Sequence, residues 1–303
     1  MSVNSRGKRR SKQSSVDLKL LHINPRGWTS KRAAIVDLLE KVQPDYVNIN
    51  ETQMRGENKV NIKGYNCYSK NRKEMAGGGI CSAVANNLKD HTVRIVEGGE
   101  NDEWQALRLN HVSPAITIVN VYGEQEGRTS KEDVTAKWGR LLKELEEVRS
   151  RGDHCLVVGD MNKQVGNDHL GIPGNHAVVS HGGQLIRDLV ESGNWVLLNA
   201  MEEKVKGGPF TRSDPATGRL SCLDFWLCTT GLVPHVKSLE IDSERKMAVA
   251  RPVRRGGRWQ LTHSDHFSML HLRICQRSGK EKQWKKKCDG ICHKRLVGKN
   301  TSS

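Results

Sequence analysis

The segment 156–162 combines an apolar stretch with side chains that can do chemistry. Residues 156–158 are apolar and predict a short buried strand, and Gly159 is expected to let the backbone turn as it leaves the sheet. Asp160 and Asn162 follow, and side chains two residues apart share one face of an extended chain. A carboxylate and a carboxamide placed together can hold a water, a metal ion or a phosphate oxygen. The alternative without chemistry is an Asp-x-Asn turn after a strand.

Polar side chains also lie at the ends of other predicted strands, which span 18–23, 46–50, 115–121, 222–227 and 267–272. In chain order they are Asn24, Glu51, Tyr122, Asp224, Asp265 and His266. Each has an ordinary structural explanation when it is taken alone. If the fold gathers them, they supply carboxylates and an imidazole to one site.

The remaining pattern shows which elements must position these side chains. Helices are predicted over about 130–149 and 184–192 from apolar residues at helical spacing, and a third helix follows a cap at Thr29 or Ser30. The glycine triplet 77–79 leads into another strand, and we interpret it as a bend rather than a phosphate loop. Strands outnumber helices and are clustered, which predicts an α/β class with largely antiparallel sheets.

Positive charge is concentrated at the two ends of the chain. The 303 residues carry a formal net charge of +15, of which residues 1–16 contribute +5 and residues 273–303 contribute +8. Basic arms favour a polyanion such as nucleic acid, and the alternatives are solvated tails or a nuclear import signal. We therefore predict a disordered basic arm over 1–16, one folded domain over 17–273 and a basic tail over 274–303.

Cysteine usage and hydropathy bear on the compartment. Buried, reduced thiols are expected where the context is apolar and strand-like, at Cys67, Cys81, Cys155, Cys222 and Cys228. A zinc site in the tail stays open, with the imperfectly spaced Cys275, Cys288, Cys292 and His293. No apolar run reaches the roughly 20 residues that cross a membrane, and no secretory signal opens the chain. We expect a nuclear or cytoplasmic protein with no membrane partner.

Five short motifs give the chain a resemblance to the endonuclease/exonuclease/phosphatase superfamily, from about residue 18 to 272. They are Asn-Glu-Thr-Gln around Glu51, Val-Tyr-Gly at Tyr122, Gly-Asp-Met-Asn at 159–162, Leu-Asp-Phe at 223–225 and Ser-Asp-His at 264–266. Their shared order is far more specific than any single motif. The resemblance implies a four-layer α/β sandwich, with two mixed, largely antiparallel sheets flanked by helices. It also implies hydrolysis of phosphodiester or phosphomonoester bonds by the 17–273 domain with a divalent metal, usually Mg²⁺, with Mn²⁺ as the alternative.

The resemblance further implies roles for the metal and water side of the site. Glu51 would bind the metal with support from Asn24 and Asp265, in keeping with the preference of Mg²⁺ for oxygen ligands. Asp160 would position or deprotonate the attacking water. Asn162 would hold a phosphate oxygen.

On the phosphate side, His266 would face the substrate while Asp224 orients its imidazole and favours the protonated form. Tyr122 would donate a hydrogen bond to the phosphate or to the leaving oxygen. Two positions depart from apurinic-endonuclease relatives, which have an acid where this chain has Arg26 and an Asn where it has Gln125. Arg26 cannot bind a metal, so a second acidic ligand there and abasic-site repair are both disfavoured.

Within the superfamily, the segments 181–185, 195–200 and 208–211 look like the endonuclease domain of non-LTR retrotransposons. That domain nicks chromosomal DNA to expose a 3′-hydroxyl for reverse transcription. DNA is therefore the expected partner, with a reverse transcriptase acting in cis or in trans. A basic hairpin that turns at Gly256-Gly257 is expected to enter a DNA groove through Arg251, Arg254, Arg255 and Arg258. A solvated charged hairpin is the alternative.

Two other functions stay open from the sequence. A phosphatase or phosphodiesterase of the same fold would use the same centre on a small or lipid phosphoester, although the basic arms stand against it. A nucleic-acid-binding protein without catalysis is the second, although the main catalytic residues are present. The sequence leaves the oligomeric state open.

Overall fold

A computed structural model describes residues 15–72, 77–125, 127–213, 219–242, 250–255, 258–263 and 266–275. For the last three of these ranges the backbone alone is described. Within the described ranges, no helix is both long enough and apolar enough to cross a membrane.

Strands predominate in the described ranges, and three α-helices connect them. The strands are β1 (Ser15–Asn24), β2 (Tyr46–Ile49), β3 (Tyr65–Lys70), β4 (Ile80–Ala85), β5 (Thr92–Glu97), β6 (Trp104–Leu109), β7 (Ile116–Val121), β8 (His154–Asp160), β9 (Trp195–Leu197), β10 (Val205–Lys206), β11 (Arg212–Ser213), β12 (Leu220–Ser221), β13 (Asp224–Thr229), β14 (Val236–Ile241), β15 (Ala250–Arg255), β16 (Arg258–His263) and β17 (His266–Cys275). The helices are α1 (Arg32–Val42), α2 (Lys131–Ser150) and α3 (His181–Glu191).

Two large mixed sheets form the body of the molecule. The first has the strand order β10-β14-β17-β1-β2-β4-β3, and the second has the order β5-β6-β7-β8-β13-β9. The pairs β1–β2, β10–β14 and β7–β8 are parallel, and the other pairs in these two sheets are antiparallel. The predicted largely antiparallel sheets are therefore confirmed.

Three apolar clusters separate four layers of secondary structure. Helix α1 covers the outer face of the first sheet through Ile35, Leu38 and Leu39. Helices α2 and α3 cover the outer face of the second sheet, and the third cluster fills the space between the two sheets. Burial of apolar surface in these layers drives the assembly, at about 25 cal/mol per Å². The predicted four-layer α/β sandwich is confirmed.

The starts of the helices agree with the predictions only in part. Helix α2 begins as expected, because Ser130 caps it by accepting the Asp133 N–H at 3.1 Å. The predicted cap of α1 is wrong, since Thr29–Lys31 forms a 3-10 turn and α1 has no side-chain cap. Helix α3 starts at His181, three residues before the predicted start, because Ser180 supplies its cap.

Strand pairing extends to both ends of the described chain. Strand β1 begins at Ser15 and β17 ends at Cys275, and these two residues are partners in the antiparallel register. Pairing thus runs two residues beyond each end of the predicted domain 17–273. The two basic arms outside this pair lie outside the described residues, as do Cys288, Cys292 and His293 of the zinc hypothesis, and of Cys275 the backbone alone is described. The five cysteines predicted to be reduced are free thiols, with Cys67 half-buried and the other four buried.

The facing sides of the two sheets change from apolar to polar toward one end. On β1, Leu18 and Leu20 lie in the apolar cluster between the sheets, and the next residues on that face are His22 and Asn24. Side chains two residues apart point into the same layer, so the strand carries this polar pair into the interior. The same change occurs on β2, β7 and β8, which end on this face with Asn48, Asn120 and Asp160.

Candidate active site

Asn24 joins two carboxylates that come from different sheets. Its Nδ2 donates to Glu51 Oε1 at 3.1 Å and to Asp160 Oδ2 at 2.8 Å. Its Oδ1 accepts the backbone N–H of Arg26 at 3.1 Å, which fixes the orientation of the amide. Tyr122 donates its hydroxyl to the same Glu51 oxygen at 2.8 Å. Four of the predicted site residues therefore lie together at the polar end of the space between the two sheets, which we call the mouth.

Asn162 reaches this site by a turn, not by strand alternation. Strand β8 ends at Asp160, and Asn162 has a left-handed backbone with φ of 52°. Its N–H donates to Asp160 Oδ1 at 3.0 Å, and its Nδ2 donates to Gly123 O at 2.9 Å. The expected turn at Gly159 is also wrong, because Gly159 stays in β8 and pairs with Phe225 of β13. Its φ of 153° and the close Val121 carbonyl oxygen, which a Cβ would overlap, explain the glycine.

Left-handed backbone conformations of non-glycine residues cluster at the same mouth. Four of the five in the described residues lie there, at Arg26 (φ 49°), Glu51 (48°), Gln53 (54°) and Asn162 (52°), and the fifth, Gln43 (50°), ends helix α1. Such conformations are uncommon outside glycine and persist where the surroundings fix them, as at active sites. Backbone bonds provide that fixation, since Gly27 N–H donates to Glu51 O at 2.8 Å. This strain points to the same site as the side chains do.

Asn50 ties the two sheets together directly beneath the carboxylates, and the sequence reasoning missed it. It is fully buried, its Oδ1 accepts the Asp160 N–H at 2.7 Å, and its Nδ2 donates to Asn120 Oδ1 at 2.7 Å. Asn120 in turn donates to Cys81 O at 3.1 Å. The sequence did contain a signal for both residues, because Asn50 and Asn120 are each polar residues in a predicted strand that is mostly apolar.

Asp224 lies beside Asp160 in the register of β8 and β13 and contacts a histidine that was not predicted. Its Oδ1 is 2.6 Å from His22 Nε2, and both residues are fully buried. Residue His266, the predicted partner of Asp224, is the register partner of Asn24 across β1 and β17. The backbone therefore brings His266 to the same mouth, while its side chain and all of Asp265 lie outside the described atoms.

The four arginines of the predicted DNA-binding hairpin lie on β15 and β16. These strands are antiparallel, and Arg255 pairs with Arg258, so two residues connect them as a tight hairpin requires. Gly256 and Gly257 themselves lie outside the described residues. Strand β15 contacts the 3-10 turn Thr29–Lys31, which follows the loop after Asn24. The hairpin therefore stands next to the candidate site.

Arg72 and Glu103 surround Tyr122, and neither was predicted. The Arg72 guanidinium lies 5.8 Å from the centre of the Tyr122 ring and is hydrogen-bonded to the Glu103 carboxylate. The Glu103 carbonyl accepts the Tyr122 N–H at 2.8 Å. Burial, followed by the charges of Glu51 and Asp160, raises the pKa of Tyr122 well above its ordinary value. The phenol therefore keeps its proton and acts as a donor.

The oxygen-rich composition of the mouth fits a hard divalent cation. Mg²⁺ binds through one or two carboxylates and keeps several waters, so it does not need a larger protein cage. Among the described residues, no group of three or more His, Cys, Asp or Glu is arranged to hold a metal ion. In the part of the chain that the structure describes, Asn24 and Tyr122 both donate to Oε1 of the Glu51 carboxylate, which leaves Oε2 for a cation.

Comparisons with known proteins agree with this geometry. The sequence profile described as Endonuclease/Exonuclease/phosphatase family matches residues 1–266. No curated protein matches the chain significantly. Among solved structures, the Neisseria 3′ phosphatase NExo bound to a product DNA hairpin is 14% identical, covering 84% of this chain and 99% of that chain, with a TM-score of 0.64.

Two further solved structures share the fold. An AP endonuclease from Archaeoglobus fulgidus is 16% identical, covering 84% of this chain and 98% of that chain, with a TM-score of 0.60. The endonuclease domain of TRAS1, a telomere-specific non-LTR retrotransposon, is 14% identical, covering 86% of this chain and 99% of that chain, also with a TM-score of 0.60. The profile match, the four-layer fold and the gathered motifs together show that the chain belongs to the endonuclease/exonuclease/phosphatase family, whose members hydrolyse phosphoester bonds.

Proposed function

We propose that this protein is a Mg²⁺-dependent DNA endonuclease that nicks one strand, in the manner of a retrotransposon endonuclease domain. The observation that carries the proposal is the pairing of Glu51 and Asp160 by Asn24 Nδ2, at 3.1 and 2.8 Å. Hydrolysis of a phosphodiester at neutral pH needs charge neutralisation at the phosphate and an oriented water. Two carboxylates held side by side can divide these tasks.

Glu51 is the residue proposed to hold the metal, with support from Asn24 and Asp265. Its Oε1 is fixed by two hydrogen bonds, so Oε2 has a defined direction. The Asn24 oxygen accepts the Arg26 N–H, so direct ligation by Asn24 would use its second lone pair. A Mg²⁺ ion bound here supplies positive charge to the phosphate oxygens, and Mn²⁺ would use the same oxygen donors.

Asp160 is proposed to orient the attacking water and accept its proton. Its two oxygens are held by Asn162 N–H at 3.0 Å and by Asn24 Nδ2 at 2.8 Å, which preorganises the carboxylate. The water oxygen forms a bond to phosphorus while the bond from phosphorus to the 3′-oxygen breaks. The products are a 5′-phosphate and a 3′-hydroxyl. Asn162 would contact a phosphate oxygen during this step.

His266 and Tyr122 are the proposed hydrogen-bond donors to the phosphate, and Asp224 is the proposed support of His266. The register positions of His266 opposite Asn24 and of Asp224 opposite Asp160 support this placement. Tyr122 keeps its proton because burial and nearby carboxylates raise its pKa, and substrate binding would redirect that proton from Glu51 to the phosphate or the leaving oxygen.

DNA is the proposed partner because a hairpin with four arginines lies near the site and the chain carries a large positive net charge. The hairpin with Arg251, Arg254, Arg255 and Arg258 stands next to the mouth, and the two basic arms carry most of the net charge. The TRAS1 domain and the DNA-bound NExo structure share this fold. We propose that a reverse transcriptase, in cis or in trans, uses the exposed 3′-hydroxyl, and that the protein acts on nuclear DNA.

A metal titration of DNA cleavage tests this proposal. The substrate is an end-labelled duplex, assayed with wild type and Glu51→Gln over increasing Mg²⁺ and Mn²⁺. We expect cleavage only with metal, and we expect Glu51→Gln to need a metal concentration at least about 10- to 100-fold higher, since changing even a residue that only supports a metal ligand costs that much. The matched control is Glu57→Gln, because Glu57 is exposed in the loop after Glu51.

The same titration separates the alternatives when a 3′-phosphorylated strand is included. Removal of the 3′-phosphate without internal cleavage would make the protein a phosphatase. Metal-independent binding without any hydrolysis would make it a nucleic-acid-binding protein. Equal metal dependence of Glu51→Gln and Glu57→Gln would contradict the role of Glu51.

A further inference from the structure

A fully buried histidine contacts Asp224 from within the interior of the fold. His22 lies on β1 between the two sheets, with no side-chain exposure, and its Nε2 is 2.6 Å from Asp224 Oδ1. The second ring nitrogen, Nδ1, is 3.0 Å from Asn48 Nδ2. Buried polar groups of this kind are retained where their hydrogen bonds are made, because an unpaired buried group destabilises the folded state.

Asn48 determines which ring nitrogen of His22 carries the proton. Its Nδ2 also donates to the Val158 carbonyl at 3.2 Å. The reversed amide would place Oδ1 against that carbonyl oxygen, so the observed orientation is the favourable one. Asn48 therefore donates to Nδ1, which must be an unprotonated acceptor. His22 then carries its proton on Nε2 and donates it to Asp224.

The rest of Asp224 is held by neighbouring elements. Its N–H donates to Thr211 Oγ1 at 3.2 Å, and its carbonyl accepts from Asn199 Nδ2 at 3.1 Å. These bonds fix the backbone but not the rotation of the carboxylate. The His22 bond holds Oδ1 of that carboxylate, and because this tautomer is neutral it adds no positive charge beside the carboxylate.

We propose that His22 is a positioning residue that orients Asp224, with Asn48 fixing its tautomer. The inference rests on the proposed function and deepens it. Asp224 is the predicted orienter of His266, and His266 pairs with Asn24, two residues along β1 from His22. A neutral donor behind Asp224 fixes one oxygen and preserves the charge with which the carboxylate acts on the imidazole at the mouth.

Kinetics of three variants test the proposal with the full chain and plasmid DNA. His22→Leu should lower kcat for nicking by about 10- to 100-fold with little change in KM, because DNA does not contact His22. His22→Gln retains an N–H donor of similar reach, and it should recover kcat to within about threefold of wild type. His111→Leu is the control, since His111 is also buried but lies in the loop at the far end of β7. It should lower stability while kcat per folded molecule stays unchanged.

A second measurement is independent of activity. Long-range proton–nitrogen NMR of the wild-type protein distinguishes the two imidazole tautomers, and His22→Gln identifies the signal. We expect the Nε2-protonated neutral form. An Nδ1-protonated ring, or a His22→Leu variant with the kcat of wild type, would overturn the inference. Absence of nicking by wild type would instead overturn the proposed function, while the NMR result would still decide the tautomer.

Discussion

Replacing Asn50 with leucine should weaken the fold and the candidate site together. Asn50→Leu keeps the branching and approximate volume of the side chain, so the main loss is two buried hydrogen bonds, one to the Asp160 N–H and one to Asn120 Oδ1, both at 2.7 Å. Each group left unsatisfied in the interior costs about 1–3 kcal/mol. We therefore expect the free energy of unfolding to fall by about 2–6 kcal/mol, a large part of the ~5–15 kcal/mol of a typical protein.

Urea unfolding of the full chain measures this change. The midpoint should move to lower urea while the slope stays near that of wild type, because the surface exposed on unfolding is unchanged. The matched control, Asn58→Leu, alters an exposed asparagine and should shift stability by less than about 0.5 kcal/mol. In the nicking assay, Asn50→Leu should lose activity even where it is fully folded, because Asp160 loses a backbone anchor. A stability loss below about 1 kcal/mol with normal nicking would refute the idea that Asn50 joins the sheets beneath the site.

Three further predictions concern charge and hydrogen bonding. Burial lowers the pKa of Lys70 from 10.5 to about 8, so the folded state releases a proton that the unfolded state still holds between these values. Wild type should therefore gain stability relative to Lys70→Arg as pH rises through this window, and a pH-independent difference in urea midpoints would contradict the shift. Tyr122→Phe removes the 2.8 Å bond to Glu51 and should lower nicking by about 10- to 100-fold, whereas Tyr68→Phe on β3 should not; equal rates would remove Tyr122 from the mechanism. Deleting residues 1–14 and 276–303 should reduce the slope of log affinity for DNA against log salt, and an unchanged slope would show that the arms do not contact phosphates.

Residue patterns predicted the α/β class with largely antiparallel sheets, the family resemblance predicted the four layers, and neither identified the buried residues beneath the site. Apolar runs predicted the strands that carry the site, strand ends pointed to Asn24, and motif order pointed to Glu51 and Asp160, whereas β3, β5 and β14 were not predicted. His22 and Asn50 were missed because their partners are 202 and 110 residues away in the chain, and only the packing of one sheet on the other reveals those pairs.

Errors in local geometry have a similar origin. Gly159 was expected to form a turn, but it stays paired with Phe225 in the sheet. A glycine is needed there because the Val121 carbonyl and the Asn50 side-chain oxygen leave no room for a Cβ. The cap of α1 was misplaced because Thr29 and Ser30 are good capping residues by type, yet they lie in a 3-10 turn. Residue type sets a local preference, and tertiary contacts decide the outcome.

Conversion of supercoiled plasmid to relaxed circles tests the central claim most directly. Wild type and Asp160→Ala are incubated with plasmid in Mg²⁺ or in EDTA, and thermal unfolding checks that both are folded. We expect relaxed circles from wild type with Mg²⁺ alone, and none from Asp160→Ala or with EDTA. Plasmid that stays supercoiled with folded wild type and Mg²⁺, or nicking by Asp160→Ala at the wild-type rate, would contradict the account.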